Sequence, residues 1–81
     1  MKLEWFGTEK RGGQAVEYYL LSKRKRQGHR YGILIRSGDE QVCFPDLSGS
    51  REQVADLLQA MMVGFVTPVT AADITEDWLL A

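Results

Sequence analysis

Ten residues from Ser22 to Tyr31 (SKRKRQGHRY) hold the densest potential chemistry in this chain. Four consecutive cations, Lys23, Arg24, Lys25 and Arg26, are followed by Gln27, Gly28, His29 and Arg30. Cations at that density, with Tyr19 and Tyr31 close by for stacking, suit phosphate groups and nucleobases. The same residues also serve a plainer end, a solvated hairpin tip whose charge keeps neighbouring strands from pairing. The net charge of −1 weighs against nucleic acid, as does an isoelectric point near 5.7. A dedicated nucleic-acid domain is strongly basic, and no RNP, KH or zinc-finger pattern is present. Contact of Lys23, Arg24, Lys25, Arg26, His29 and Arg30 with nucleic acid or another anion is therefore the alternative reading of function.

The remaining chemical candidates are thinner. Gly7 to Gln14 (GTEKRGGQ) has the glycine spacing of a phosphate loop. It lacks the Lys-Ser/Thr pair that reaches phosphate and Mg²⁺, and a strand-like run follows it where a helix is required. A hairpin turn accounts for the glycines. One histidine, His29, and one cysteine, Cys43, do not make up the four ligands of a structural zinc site. Asp73, Glu76 and Asp77 lack calcium-loop spacing and read as helix-start charge. Cys43 has Asp39, Glu40 and Asp46 as its nearest charges in sequence. A reactive thiolate requires the opposite sign, so Cys43 reads as a small apolar residue of a strand. No catalytic, cofactor-binding or metal-binding residue is assigned, no cofactor is expected, and the chain reads as a non-enzyme.

The charge is sorted by position. Residues 1–36 hold nine basic against three acidic side chains, +6, and residues 37–81 hold one against eight, −7. Such asymmetry points to a polyanionic or acidic partner for the basic half, or to the two halves facing each other within or between chains. A length of 81 residues suits one domain, 1–81, and 44% hydrophobic content with 26% charged suits a globular one. A chain this short buries little of its surface, and dimerisation would enlarge its core. The single cysteine precludes an internal disulfide and points to a reducing compartment. The opening Met1–Thr8 carries Lys2 and Glu4, so no signal peptide is expected. No apolar run reaches a membrane span. The expected setting is the cytoplasm.

The elements that would carry these residues divide the chain in two. Over 1–46 the period is that of strands. A short segment holds Leu3, Trp5 and Phe6, with a turn at Thr8–Gly13. Gln14–Ser22 points Val16, Tyr18 and Leu20 one way and Glu17, Tyr19 and Leu21 the other. Arg30–Arg36 points Tyr31, Ile33 and Ile35 one way. After the Ser37–Glu40 turn, Gln41–Phe44 is a fourth strand that Pro45 stops or places at an edge. Tyr19, Leu21 and Leu34 make parts of these strands apolar on both sides, which calls for a cover on the side away from the helices. Over 50–81 the period is helical. Ser50-Arg51-Glu52-Gln53 fits a capping box, and Val54, Leu57, Leu58 and Met61 form one apolar stripe. Gly64 suits the left-handed position that ends a helix. Phe65–Val69 reads as an extended linker, because Pro68 biases its predecessor away from helix. Thr70-x-x-Asp73 would then cap a second helix facing Ile74, Trp78 and Leu79 or Ala81 inward.

Several runs together resemble one family. Phe44-Pro45-Asp46-Leu47-Ser48, Arg51-Glu52-Gln53-Val54 and the tail Thr67-Pro68-Val69…Asp73-Ile74…Glu76-Asp77-Trp78-Leu79 are similar to the ending of a family of short uncharacterised bacterial proteins, a domain of unknown function. Tyr18-Tyr19-Leu20 and Tyr31-Gly32-Ile33 resemble its strand signatures. The resemblance implies an intracellular bacterial setting and supplies no activity, cofactor or catalytic residue.

The expected fold is α+β: a three- to four-stranded antiparallel meander, then helices near 51–63 and 71–80 packed on one face. The expected core is Trp5, Val16, Tyr18, Leu20, Ile33, Ile35, Phe44, Val54, Leu57, Leu58, Met61, Ile74 and Trp78. The expected function is a small non-enzymatic protein–protein interaction module whose partner is another protein or a second copy of itself.

Overall fold

Four strands precede two helices in the computed structural model, which describes residues 1–80. They are β1 (Lys2–Arg11), β2 (Gln14–Lys25), β3 (Gly28–Ser37), β4 (Glu40–Ser48), α1 (Arg51–Val63) and α2 (Pro68–Leu80). The strands form one antiparallel meander in the order β1-β2-β3-β4, and the α+β class follows. Ala81, one of the residues expected to face inward, lies outside the described residues.

The strands outrun their expected lengths because the turns between them are tight. Gly12 and Gly13 both take positive φ, 53° and 81°, so two residues suffice to reverse β1 into β2. That leaves Thr8–Arg11 in the strand. Pro45 does not end β4, which continues to Ser48 on the edge of the sheet.

Alternation along β2 and β3 sends Val16, Tyr18, Leu20, Ile33 and Ile35 into one core with Val54, Leu57, Leu58 and Met61 of α1 and Ala71 of α2. Both helices lie on this face. Serine capping of α1 is present, with the Gln53 backbone N–H donating to Ser50 Oγ at 3.2 Å. The reciprocal half of the box is relayed through Ser48. Its hydroxyl accepts from the Ser50 N–H and donates to Gln53 Oε1, both at 3.0 Å.

Three bonds tie α1 and its exit to the sheet. Arg51 donates to Glu4 at 2.6 Å near the start of α1, and Arg11 donates to the Val63 carbonyl at 3.0 Å at its end. The buried Tyr18 hydroxyl donates to the Val66 carbonyl at 2.8 Å.

Three expectations are corrected here. Gly64 is not left-handed (φ −82°), and the positive φ of 51° belongs to Phe65. The Phe65 and Val66 N–H groups bond back to the Met62 and Met61 carbonyls, a Schellman ending. The guanidinium of Arg11, 5.1 Å from the Phe65 ring centroid, helps to hold a non-glycine residue there.

Second, α2 begins at Pro68 rather than near 71, and Phe65–Val69 is not an extended linker. Proline needs no N–H in a first turn, and the Thr67 carbonyl accepts from the Thr70 and Ala71 N–H groups. Thr70…Asp73 is therefore inside the helix, whose first turn holds no acid.

Third, the earlier start changes which side faces inward. Pro68, Ala71 and Thr75 are buried, Trp78 packs partly against the core, and Ile74 is 37% exposed. Trp5 is also outside the core, at 61% exposed, and Phe44 is only half-buried.

Candidate functional site

The basic tip is smaller as a loop and more divided as a surface than its sequence suggests. β2 runs through Lys25 and β3 restarts at Gly28, leaving only Arg26 and Gln27 between them. Gly28 at φ 116° makes the reversal possible. Lys23 pairs with Arg30 and Arg24 with His29 across the hairpin. Consecutive strand residues point to opposite faces. Lys23, Lys25 and Arg30 thus lie on the side away from the helices, whereas Arg24 and His29 lie on the helix side.

Asp46 of β4 reaches both Lys25, at 3.3 Å, and Arg30, at 2.5 Å. The hydrogen bond from Arg30, reinforced by Lys25, holds the Asp46 carboxyl below its ordinary pKa. Two of the six candidate side chains thereby share one carboxylate within the chain. Lys23, Arg24 and Arg26 form no ion pair among the described residues. The His29 ring stacks on Tyr31 at 6.2 Å between centroids, with Arg24 opposite in the ladder.

A second feature emerges only when the strands are laid side by side. The registers align Trp5, Tyr19, Leu34 and Cys43 in one row across all four strands, on the side the helices leave open. Leu3 and Leu21 form the next row toward the hairpin. Leu21 is 2% exposed yet does not join the helix-side cluster, which fits its place on this opposite face. Leu3 is 52% and Trp5 61% exposed.

The large side chains of this row are held rather than loose. A bulge between Trp5 and Gly7 puts Thr8 on the same face as Trp5, and the indole donates to its hydroxyl at 3.0 Å. The Arg36 guanidinium lies over the Tyr19 ring, 5.5 Å from the centroid, and donates to the Tyr19 hydroxyl and to Glu17. That bond from Arg36 lowers the Glu17 pKa. At the other border β4 folds over the face. A Cβ on Gly32 would lie 2.7 Å from Pro45 Cα and closer still to the Phe44 carbonyl oxygen. Only glycine admits this crossing, which brings Asp46 over to Lys25 and Arg30.

Most acids of the second half do not pair with the basic half among the described residues. Among the described residues Asp46 is the one acid of the second half that pairs with cations of the first, and Arg51 joins the halves in the opposite sense, through Glu4. Arg36 pairs with Glu17 within the first half. Glu52, Asp56, Asp73, Glu76 and Asp77 lie on the helices without an ion-pair partner among the described residues.

Chemically capable groups are dispersed. His29 and Cys43 point to opposite faces of the sheet by strand alternation. Cys43 is exposed, and partial burial raises its pKa, so it stays a thiol at neutral pH. No group of three His, Cys, Asp or Glu side chains is placed to hold a metal ion among the described residues. No described helix is long and apolar enough to cross a membrane.

These features define a small α+β protein built as a sheet with helices on one face and ordered aromatics on the other. The chain belongs to a family of unknown function, DUF6514, which matches residues 4–81. No curated protein and no solved structure matches it.

Proposed function

We propose that this protein is a non-enzymatic interaction module whose helix-free sheet face binds a protein partner, a different chain or a second copy of its own. One observation carries the reading: the Leu3, Trp5, Tyr19, Leu34 and Cys43 surface spans all four strands without a helix over it. Interfaces draw their affinity from such aromatic anchors, and anchors already fixed lose little entropy on binding. Here Thr8 fixes Trp5, and Arg36 with Glu17 fixes Tyr19. The dispersal of His29 and Cys43 supports a role without catalysis. We assign the protein to a bacterial cytoplasm, which the resemblance implies and an exposed, unpaired thiol fits.

Anion binding by the hairpin is less well supported. Alternation splits its cations between two faces, and Asp46 occupies Lys25 and Arg30. Capture from lysate of the source organism, with and without nuclease, separates the readings. Wild type is expected to retain at least one protein that the Trp5→Glu variant loses. Equal capture by both would overturn the face reading. Retention of nucleic acid that disappears when Lys23, Arg24 and Arg26 are neutralised would transfer function to the hairpin.

A further inference from the structure

Resting on that reading, we infer that the occupant of the helix-free face is a second copy of this chain, packed face to face with its strands reversed. Strands of nine to twelve residues give the length of the face. Four of them about 4.8 Å apart, less the part that β4 folds over, leave roughly 500 Å² per copy, or about 1,000 Å² per pair. That reaches the lower bound of a specific interface.

The charges choose the orientation. The hairpin end of the face carries Lys23, Lys25 and Arg30 against one carboxylate, Asp46. The other end carries Glu17 beside Arg36. A two-fold axis running along the strands would set one cationic end on the other, which is repulsive. An axis running across the strands, between the Leu21 and Tyr19 rows, avoids this. It brings Lys23, which forms no ion pair among the described residues, opposite Glu17 of the second copy, and Arg30 opposite Arg36, two cations that Asp46 and Glu17 already pair within their own chains. It also sets Trp5 over Leu3 of the second copy, both of them more than half exposed. Paired sheets cross at about 30°, so these contacts, close to the axis, keep their register.

Sedimentation velocity on the purified full chain over a micromolar concentration series tests this. A monomer–dimer equilibrium is expected, lost in Trp5→Glu and in Leu3→Glu. Both positions are more than half exposed, so both variants should keep the far-UV circular dichroism of the wild type. Lys23→Glu and Glu17→Lys should each raise the dimer dissociation constant about tenfold, and the double swap should restore most of that loss. A monomer at every concentration overturns the proposal, as does a dimer indifferent to Trp5→Glu and Leu3→Glu. A dimer sensitive to both but indifferent to the swaps overturns the reversed orientation. A monomer whose wild type still captures a protein that Trp5→Glu loses would remove the second copy and leave the face reading intact. A monomer that captures nothing would remove both.

Discussion

Replacing Thr75 with valine should make this protein more stable, against the usual direction of core substitutions. Thr75 is fully buried on the inner stripe of α2, and its hydroxyl has no hydrogen-bond partner among the described residues. A buried hydroxyl without a partner costs about 1–3 kcal/mol relative to its hydration in the unfolded chain. Valine puts a methyl group in the same place and has nearly the same helix propensity. A threonine hydroxyl in a helix keeps some weak alignment with the carbonyl one turn back. The expected gain is therefore at the lower end, about 1 kcal/mol, which raises Tm by about 4–8 °C in a chain this small. Urea denaturation at fixed pH should show a higher midpoint and an unchanged m-value.

Tyr18→Phe supplies the opposite sign from the same physics. It removes the donor to the Val66 carbonyl at 2.8 Å and leaves that acceptor unpaired. Tm should fall by about 4–16 °C, for a loss of about 1–2 kcal/mol. A Thr75→Val protein less stable than wild type would refute the argument, because it would mean that the hydroxyl has a partner in solution.

Two further outcomes are expected. Gly32→Ala should cost about 3 kcal/mol or more, since the new Cβ meets backbone of Phe44 and Pro45 that no rotamer change can move. Thermal denaturation checks it, and a Tm within a degree or so of wild type would show that β4 does not cross there. Asp46→Asn should flatten the acid side of the stability profile. The pKa of Asp46 is depressed in the folded state, chiefly by the bond from Arg30. Its stabilising contribution is therefore complete at neutral pH and disappears as pH falls through the depressed value. Tm measured from pH ~7 down to ~2 should fall less steeply for the variant, and equal slopes would argue that the pair does not form.

The meander and α1 were legible because period and turn chemistry agreed. Val16, Tyr18 and Leu20 alternate, Val54, Leu57, Leu58 and Met61 repeat at helical spacing, and Ser50 caps where the stripe starts. The phase of α2 was not legible. Hydropathy favours Ile74 as the inward residue, yet the helix begins at Pro68 and its inner stripe takes Ala71 and Thr75. The Thr70…Asp73 capping box was a false start signal, and Thr67 before a proline was the true one.

Trp5 was misread for a related reason. Its size suggests a core, but its strand position sets it beside Tyr19 on the other face. That Tyr19, Leu21 and Leu34 share the face away from the helices was legible from alternation alone. That Trp5 and Cys43 complete their row depends on long-range register, which no local pattern encodes. The split of the hairpin cations could have been found by alternation, had the tip been taken as two residues. The reach of Asp46 could not, because it follows from β4 crossing over Gly32.

The two outer strands bear on how large any assembly can become. β1 and β4 form the rails of the sheet. An unbroken rail invites another chain to add a strand, and the next chain after it, without a stopping point. Here β1 is interrupted by its bulge at Phe6, and β4 by Pro45, which has no N–H to offer. Sideways growth into ribbons is thus discouraged along both rails. Burial of the flat side consumes the whole of that surface in a single event, so assembly by that route ends at a closed pair and never becomes a fibre.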